Sequence, residues 1–328
     1  MGWEKVQVIP FKSVNFIFVG LFILFVISGC VDSEKNSNTK EIAKIKFGIL
    51  PVIQALPLFV AAEKGYFDDA SLEVELVSFR SAMEINVALT SGQISGYFGG
   101  LITPVILKSN STPIRIAASF TNTVHDQRMF VVLQPPNTEK ITISEAAEMG
   151  IATSSNTVVD YFIYLLLDEI EPGQSTDYKI VETKNISIRL QLLLSGQFAA
   201  AVLSEPLATF AEMHGAQVIE DDRGMPFSIT TLSFTEKFLN ESPEPVKNFL
   251  KAVKRSIEYI NANPDSVRQI MNTNVNVPKE LQNSMEVPKF PFSALPDREQ
   301  LNNVISWLKL KNIIKTDIRY EDLVVREQ

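Results

Sequence analysis

LEVELVSFRSAMEINVALTSGQISGYFGGLITP, residues 72–104, is answered further along the chain by YKIVETKNISIRLQLLLSGQFAAAVLSEP, residues 178–206. The tripeptide Ser91-Gly92-Gln93 recurs as Ser195-Gly196-Gln197, and its surroundings agree in kind. Each stretch opens on alternating apolar and polar residues, the period-two pattern of a strand. Each then meets a candidate N-cap, Ser81 or Asn185, followed by a helical segment that closes at the shared glycine. Downstream, Tyr97-Phe98-Gly99-Gly100 runs to Thr103-Pro104 while Ala201-Val202-Leu203 runs to Glu205-Pro206. Proline just inside a helix start removes only a donor that the first turn leaves unpaired. Upstream, IKFGIL (45–50) precedes a helix through 56–64, and GIAT (150–153) precedes one through 157–169.

Each half therefore reads strand, helix, strand, helix, strand, helix. That succession predicts an α/β fold of two lobes, each with a mostly parallel sheet flanked by helices. Around it, PIRIAASF (113–120) finishes the first lobe and MFVVL (129–133) opens the second, with 121–128 as a crossing segment and 216–222 as the return crossing. The expected division is 1–29 as an export signal, 30–43 as a tether, 44–123 with 222–328 as lobe I, and 124–221 as lobe II. Two crossings side by side make a hinge. Amphipathic helices follow: one carries Phe249, Val253, Ile257 and Ile260 on one face, a second starts at Asn263-Pro264, and a third carries Leu301, Val304, Ile305 and Leu308.

Ligands of open α/β sheets sit beyond the carboxyl ends of the strands, where helix N-termini offer unpaired N–H groups. Six strand-to-helix turns, three per lobe, are the candidate site. Gln54 and Ala55 occupy the first turn. Phe79, Arg80 and Ser81 occupy the second, and Arg80, read as the only cation of the six turns, offers a fork that fits an oxyanion; a surface arginine near Glu84 is the other reading. Gly99 and Gly100 would let a ligand approach the main chain, and Thr103 would cap the next helix. In lobe II, Thr153-Ser154-Ser155-Asn156-Thr157 packs hydroxyls and an amide into one turn, with Ser154, Ser155, Asn156 and Thr157 as candidate contacts. Asn185 would contact ligand or cap its helix. Glu205 would face the cleft and hold a cationic group, forming with Arg80 a clamp for a zwitterion, or would only cap the helix begun by Pro206.

The chain has 328 residues, 45% of them apolar and 21% charged, enough to build a core in each half. Its single cysteine excludes disulfide frameworks and thiolate metal sites. His125 and His214 stand far apart, and no catalytic residue, metal site or cofactor is expected. A net charge of −8 argues against nucleic acid as a partner. Asp68-Asp69 and Glu220-Asp221-Asp222 read as solvated loop charges, and Trp307 as helix core. The apolar run FIFVGLFILFVI (16–27) ends at small residues before Cys30, then at once turns polar, which is the layout of an export signal.

Ile27-Ser28-Gly29-Cys30 resembles the lipobox of bacterial lipoproteins, which implies lipidation at Cys30 and a membrane-anchored protein on the outer side of the membrane. The remainder resembles the solute-binding proteins of ABC importers, in the NMT1-like and SsuA-like group associated with nitrate, sulfonate, taurine and thiamine-precursor uptake. The residues that carry this are FGILPVIQALPLFVAAEKGYFDD (47–69), the twice-used Ser-Gly-Gln, Glu205-Pro206 and WLKLKNIIKTDIRYEDLV (307–324). The resemblance implies a type II periplasmic-binding-protein fold and a small polar solute, anionic or zwitterionic, such as a sulfonate, nitrate or thiamine-pyrimidine precursor. It further implies a permease and ATPase as partners, a monomer, and no enzymatic activity. Two departures bear on the solute: Ser95-Gly96 and Ala199-Ala200 replace the Asp-Ala that relatives carry after Gly-Gln, and Ser204 stands where an aromatic residue is common. An enzyme on the same fold, dehydratase-like or pyrimidine-synthase-like, and a sensor lipoprotein are the alternatives; the pyrimidine synthases use a cysteine-rich iron motif that this chain lacks.

Overall fold

Strand β1 (Ala43–Ile49) starts with exposed lysines and ends on buried Phe47, Gly48 and Ile49, so it enters the core as it approaches its carboxyl end. After it come a short 3-10 turn (Ile53–Ala55), α1 (Leu56–Glu63) with Pro57 in its first turn, and α2 (Tyr66–Asp69). Then follow β2 (Leu72–Ser78), α3 (Ala82–Thr90), β3 (Gly96–Gly100), α4 (Ile102–Ser109) and β4 (Ile114–Phe120). The second set is β5 (Phe130–Gln134), α5 (Ile143–Met149), β6 (Ile151–Thr153), α6 (Val158–Ile170), β7 (Ile180–Glu182), α7 (Ile186–Leu194), β8 (Ala200–Ser204), α8 (Leu207–Met213) and β9 (Gln217–Asp221). The chain closes through β10 (Thr230–Thr235), α9 (Glu236–Glu241), α10 (Pro243–Ala262), α11 (Pro264–Asn274), β11 (Phe292–Ser293), α12 (Arg298–Leu310) and α13 (Tyr320–Leu323). This computed structural model describes residues 42–120, 126–170, 172–173, 177–225, 230–275, 277–293 and 295–326. The export signal, Cys30, His125 and most of the first crossing lie outside the described residues.

The strands form two sheets, ordered β11-β4-β10-β3-β1-β2 and β7-β6-β8-β5-β9. Both are mixed. β1, β2 and β3 run parallel in one, and β6, β7 and β8 in the other, as the βαβ succession requires. The antiparallel strands are those the chain adds on either side of its crossings: β10 against β3 and β4, β11 against β4, and β5 against β8 and β9. Glycine makes one of these contacts possible. A Cβ on Gly96 would lie 2.6 Å from the Ser233 carbonyl oxygen of β10.

The first sheet is covered by α10, whose Phe249 stacks on Phe67 at 5.0 Å and packs beside Phe47 at 4.7 Å between ring centres. The second is sandwiched between α6, contributing Tyr161, Phe162 and Ile163, and the pair α7 and α8, contributing Leu190, Leu193, Ala208 and Ala211. The closing segment touches both sheets. Trp307 of α12 packs 5.0 Å from Tyr161 of α6, while Val325 donates its N–H to Ile116 of β4 at 3.0 Å.

At the return crossing the structure corrects the sequence reading. Residues 217–221 form the edge strand β9, and Asp222 is no solvated loop charge: it is only 4% exposed. Its Oδ1 accepts the N–H groups of Met129 (2.7 Å) and Phe130 (3.1 Å), tying the end of lobe II to its beginning. Burial pushes its carboxyl up to about 6, with the neighbouring charge of Asp221 adding to the shift against the two N–H donors. The unfolded carboxyl titrates near 3.9, so between these values the folded state holds the proton more tightly. This group's stabilisation is therefore full below about pH 4 and is lost as the pH rises through about 6. Asp222→Asn keeps an acceptor for both N–H groups and has nothing to titrate. Thermal or urea melts across that interval are expected to show the variant gaining on the wild type as pH rises, by about 3 kcal/mol at neutrality; a constant difference would refute the coupling.

Candidate functional site

All six strand-to-helix turns converge on one cavity of about 110 Å³ between the two sheets. Leu50, Val52 and Gln54 come from the turn after β1, Arg80 and Ser81 from that after β2, and Gly99, Gly100 and Thr103 from that after β3. From the other side come Ser154 and Thr157 after β6, Lys184 after β7, and Ser204 at the end of β8. Phe130 and Thr230, first residues of the two strands that follow the crossings, complete the wall with Tyr97 and Phe98 of β3. The size is close to the roughly 150 Å³ that admits a benzene ring in an engineered core cavity.

Of the residues the sequence singled out, Gln54, Arg80, Ser81, Gly99, Gly100, Ser154 and Thr157 line this cavity, as does Thr103. Thr103 does so without capping α4, because the helix starts one residue earlier and Leu101 holds the cap position. The others point elsewhere for identifiable reasons. Ala55 is fully buried at the start of α1. Phe79 packs toward Gly48, where a Cβ would lie 3.3 Å from its ring. The N–H and hydroxyl of Ser155 donate to Glu182, and the side chain of Asn185 accepts the Ile188 N–H as an N-cap. Asn156, with φ of +60°, donates its N–H to Asp160 at 2.7 Å.

Glu205 is the principal correction. It is buried but lies away from the cavity, where its carboxylate accepts Arg128 Nε at 2.8 Å and the N–H and hydroxyl of Thr209 at 3.1 and 2.8 Å. Of its two readings, the one confined to the helix start describes the geometry, with an ion pair added. Burial opposes the charge on Arg128, but Glu212 and Glu205 override it and hold its pKa above the usual value. The zwitterion clamp with Arg80 therefore has no second jaw.

Sequence reasoning missed other lining residues. Lys184, one position before the N-cap Asn185, makes Arg80 one of two cations at the turns. Arg189 lines the cavity from inside α7 at 2% exposure, donating Nε and Nη2 to the Thr183 carbonyl and Nη1 to that of Val202. Burial pushes its guanidinium down to about 10, which leaves it protonated at neutral pH. Asn86 of α3 and Tyr97 of β3 also reach the cavity. A signal existed for Lys184, which occupies the place before its shared Ser-Gly-Gln that Arg80 occupies before the other. None existed for Asn86 or Arg189, whose access depends on how their helices are rotated.

Three polar atoms of the residues in this wall, Gln54 Oε1, Asn86 Oδ1 and the Tyr97 hydroxyl, are buried with no hydrogen-bond partner among the described residues. Burial pushes the Tyr97 phenol well above its ordinary range, an effect that the adjacent Ser233 hydroxyl only partly offsets. Leaving such an atom unsatisfied costs about 1–3 kcal/mol, so the wall is built to receive hydrogen bonds. Gly99 keeps Tyr97 in place, since a Cβ there would lie 2.8 Å from its ring.

The second lobe's wall is fixed by Asp160, fully buried in the first turn of α6. Beyond the Asn156 N–H, its carboxylate accepts the Tyr178 hydroxyl, and Lys311 Nζ donates to both of its oxygens, at 3.0 and 3.1 Å. Burial first, and then the Asp160 charge, push the Tyr178 phenol up. Lys311 also lies over the Tyr178 and Trp307 rings, at 5.0 and 5.2 Å from their centres.

Two α/β lobes with a cavity at the facing strand ends define a periplasmic-binding-protein fold. Solved structures agree: the alkanesulfonate-binding protein SsuA from Xanthomonas axonopodis pv. citri superposes with a TM-score of 0.76 at 12% identity, covering 87% of this chain and 99% of that one. The nitrate-binding protein NrtA from Synechocystis PCC 6803 gives 0.70 at 14% identity, covering 84% and 83%. The chain belongs to the NMT1-like family, whose profile matches residues 38–274. Among curated relatives, a formylaminopyrimidine-binding protein from Halalkalibacterium halodurans is 24% identical over 95% of this chain and 98% of its own length. A 4-amino-5-hydroxymethyl-2-methylpyrimidine phosphate synthase from Candida albicans is 22% identical over 82% and 81%.

Glu205→Gln should lower the melting temperature by roughly 2–4 °C per kcal/mol lost while leaving solute affinity within about twofold of wild type, because the carboxylate serves Arg128 and Thr209 alone. Calorimetric titration beside a thermal melt checks both; a large loss of affinity would return Glu205 to the site.

Proposed function

We propose that the protein is the extracytoplasmic solute-binding component of an ABC importer, and that its solute is a small flat polar heterocycle of the pyrimidine type. The observation that carries this reading is the wall itself. Tyr97, Phe98 and Phe130 supply aromatic surface against which a ring packs. Gln54 and Asn86 line the same space, and among the described residues their side-chain oxygens have no hydrogen-bond partner, which suits the N–H groups of an aminopyrimidine. The likeness to a formylaminopyrimidine-binding protein over nearly the whole of both chains supports the same solute class.

The first lobe binds the ring edge and the second supplies hydroxyls from Ser154, Thr157 and Ser204. A ligand touching both lobes favours the state in which they meet, and this is the differential stabilisation that lets a permease tell the loaded protein from the empty one. Among the described residues, no carboxylate, imidazole or thiol lines the cavity, so it holds no side-chain pair for general acid–base work. That composition favours carriage over catalysis.

In this reading Cys30 is the acylated residue that holds the protein to the membrane surface. Among the described residues, no helix is long and apolar enough to cross a membrane. Two or more acyl chains would anchor it stably, each buried methylene contributing about 0.8 kcal/mol. Fractionation of cells expressing Cys30→Ser should show the protein leaving the membrane fraction; persistence there would argue for a different anchor.

The solute assignment is tested on the full chain in detergent by thermal shift with formylaminopyrimidine and 4-amino-5-hydroxymethyl-2-methylpyrimidine, against taurine and nitrate. Saturating pyrimidine should stabilise by about 2.7 kcal/mol at a hundredfold excess over Kd. Asn86→Ala should weaken binding about tenfold by removing one hydrogen bond. A response to taurine or nitrate alone would overturn the pyrimidine reading.

A further inference from the structure

Every charged residue that lines the cavity is a cation, in a chain whose net charge is −8. Arg80 stands on lobe I and Lys184 on lobe II, each immediately ahead of the N-cap of a nine-residue helix and equally far before its Ser-Gly-Gln. Lys184 reaches lobe I, where its Nζ lies 3.4 Å from the sulfur of Met83, in the first turn of the helix that follows Arg80. Among the described residues, neither side chain has a carboxylate within ion-pairing distance. Two carboxylates lie close by without pairing with these side chains: Glu84 accepts the Arg80 main-chain N–H, and Glu182 the N–H and hydroxyl of Ser155.

Arg189 adds a second, buried observation. Three of its five N–H donors are met by carbonyl oxygens, and its charge has no ion-pair partner among the described residues. The place does not require a cation. Its counterpart in the other copy of the motif is Ile85, 2% exposed, which packs against the same kind of wall as a plain hydrocarbon. Burying a guanidinium without an ion-pair partner is costly; the charge of Glu182 offsets part of that cost, and an anion in the cavity would offset more.

Resting on the reading of this cavity as a solute site, we infer that the solute carries an oxyanion, a phosphate or carboxylate substituent on the ring, held between Arg80 and Lys184 with Arg189 behind it. The ring occupies the aromatic and amide wall of lobe I. The oxyanion faces the two helix N-termini, whose partial positive charge adds to that of the side chains.

The test compares three ligands on the full chain by calorimetric titration: 4-amino-5-hydroxymethyl-2-methylpyrimidine, its phosphate ester, and the matching ring bearing a carboxylate. One of the two anions should bind at least about tenfold tighter than the alcohol at low salt, the size of one charge-assisted hydrogen bond. That preference should shrink in 0.5 M KCl. Lys184→Gln and Arg80→Gln should each reduce the ratio of anion to alcohol affinity, whereas a merely structural role would weaken all three ligands in proportion and leave the ratio intact. If the alcohol binds and neither anion binds tighter, or if the ratio survives both substitutions, the inference is wrong and the pyrimidine reading stands. If none of the three binds, both fall.

Discussion

The carboxylate of Asp160 is the constraint on which the second lobe's half of the cavity depends. The turn after β6 must bring Ser154 and Thr157 to the cavity wall, and it does so with Asn156 in the left-handed region, a conformation that costs an ordinary residue about 1 kcal/mol or more. Asp160 holds that turn by accepting the Asn156 N–H, and it is itself buried, so it needs compensation. Lys311 and Tyr178 supply it from two distant stretches of chain. The closing helix is thereby fixed by the same charge that shapes the site, because Lys311 can reach Asp160 only when Trp307 is seated on Tyr161 and Tyr164.

A similar economy operates at the crossings. Asp222 receives two N–H groups from the start of β5, and Glu205 donates its own N–H to the Met129 carbonyl while its side chain holds Arg128. Entry to lobe II, exit from it and the last of its three strand-to-helix turns are thus knotted together within a few residues. Breaking this knot would strand a buried charge.

What could be read from the sequence was whatever depends on neighbours in the chain. Strand alternation, the N-caps at Ser81 and Asn185 and the glycines closing the repeated helices are local signals, and they were enough to predict two α/β lobes with six turns facing a cleft. The antiparallel strands that make both sheets mixed were not visible, because β10 pairs with β3 and β4 only after the chain has built a whole lobe in between. The same distinction governs the site. Glu205 looked available because its partner Arg128 lies 77 residues away. Asp222 looked like a surface charge because the N–H groups it accepts belong to residues 129 and 130, more than ninety positions earlier. Arg189 and Asn86 face the cavity by virtue of helix rotation, which packing decides and local pattern does not.

The two cations at the mouth bear on how such a protein distinguishes empty from loaded. Arg80 and Lys184 belong to opposite lobes, so bringing the lobes together without a ligand sets like charges toward one another in a cleft with apolar walls, where water screens them less than in bulk. With an oxyanion between them the sign of that contribution reverses. An anionic solute would act mainly on an arrangement with the lobes together, because with the lobes apart each cation would be hydrated separately and would meet the anion alone. A ligand shifts a two-state equilibrium only by its difference in affinity for the two states. One cation on each jaw, in equivalent positions of a duplicated motif, would convert the charge of an anionic solute into that difference more effectively than two cations on one jaw. The two lobes differ behind these cations: at equivalent positions of the repeated motif lobe I has a hydrocarbon, Ile85, and lobe II a guanidinium, Arg189.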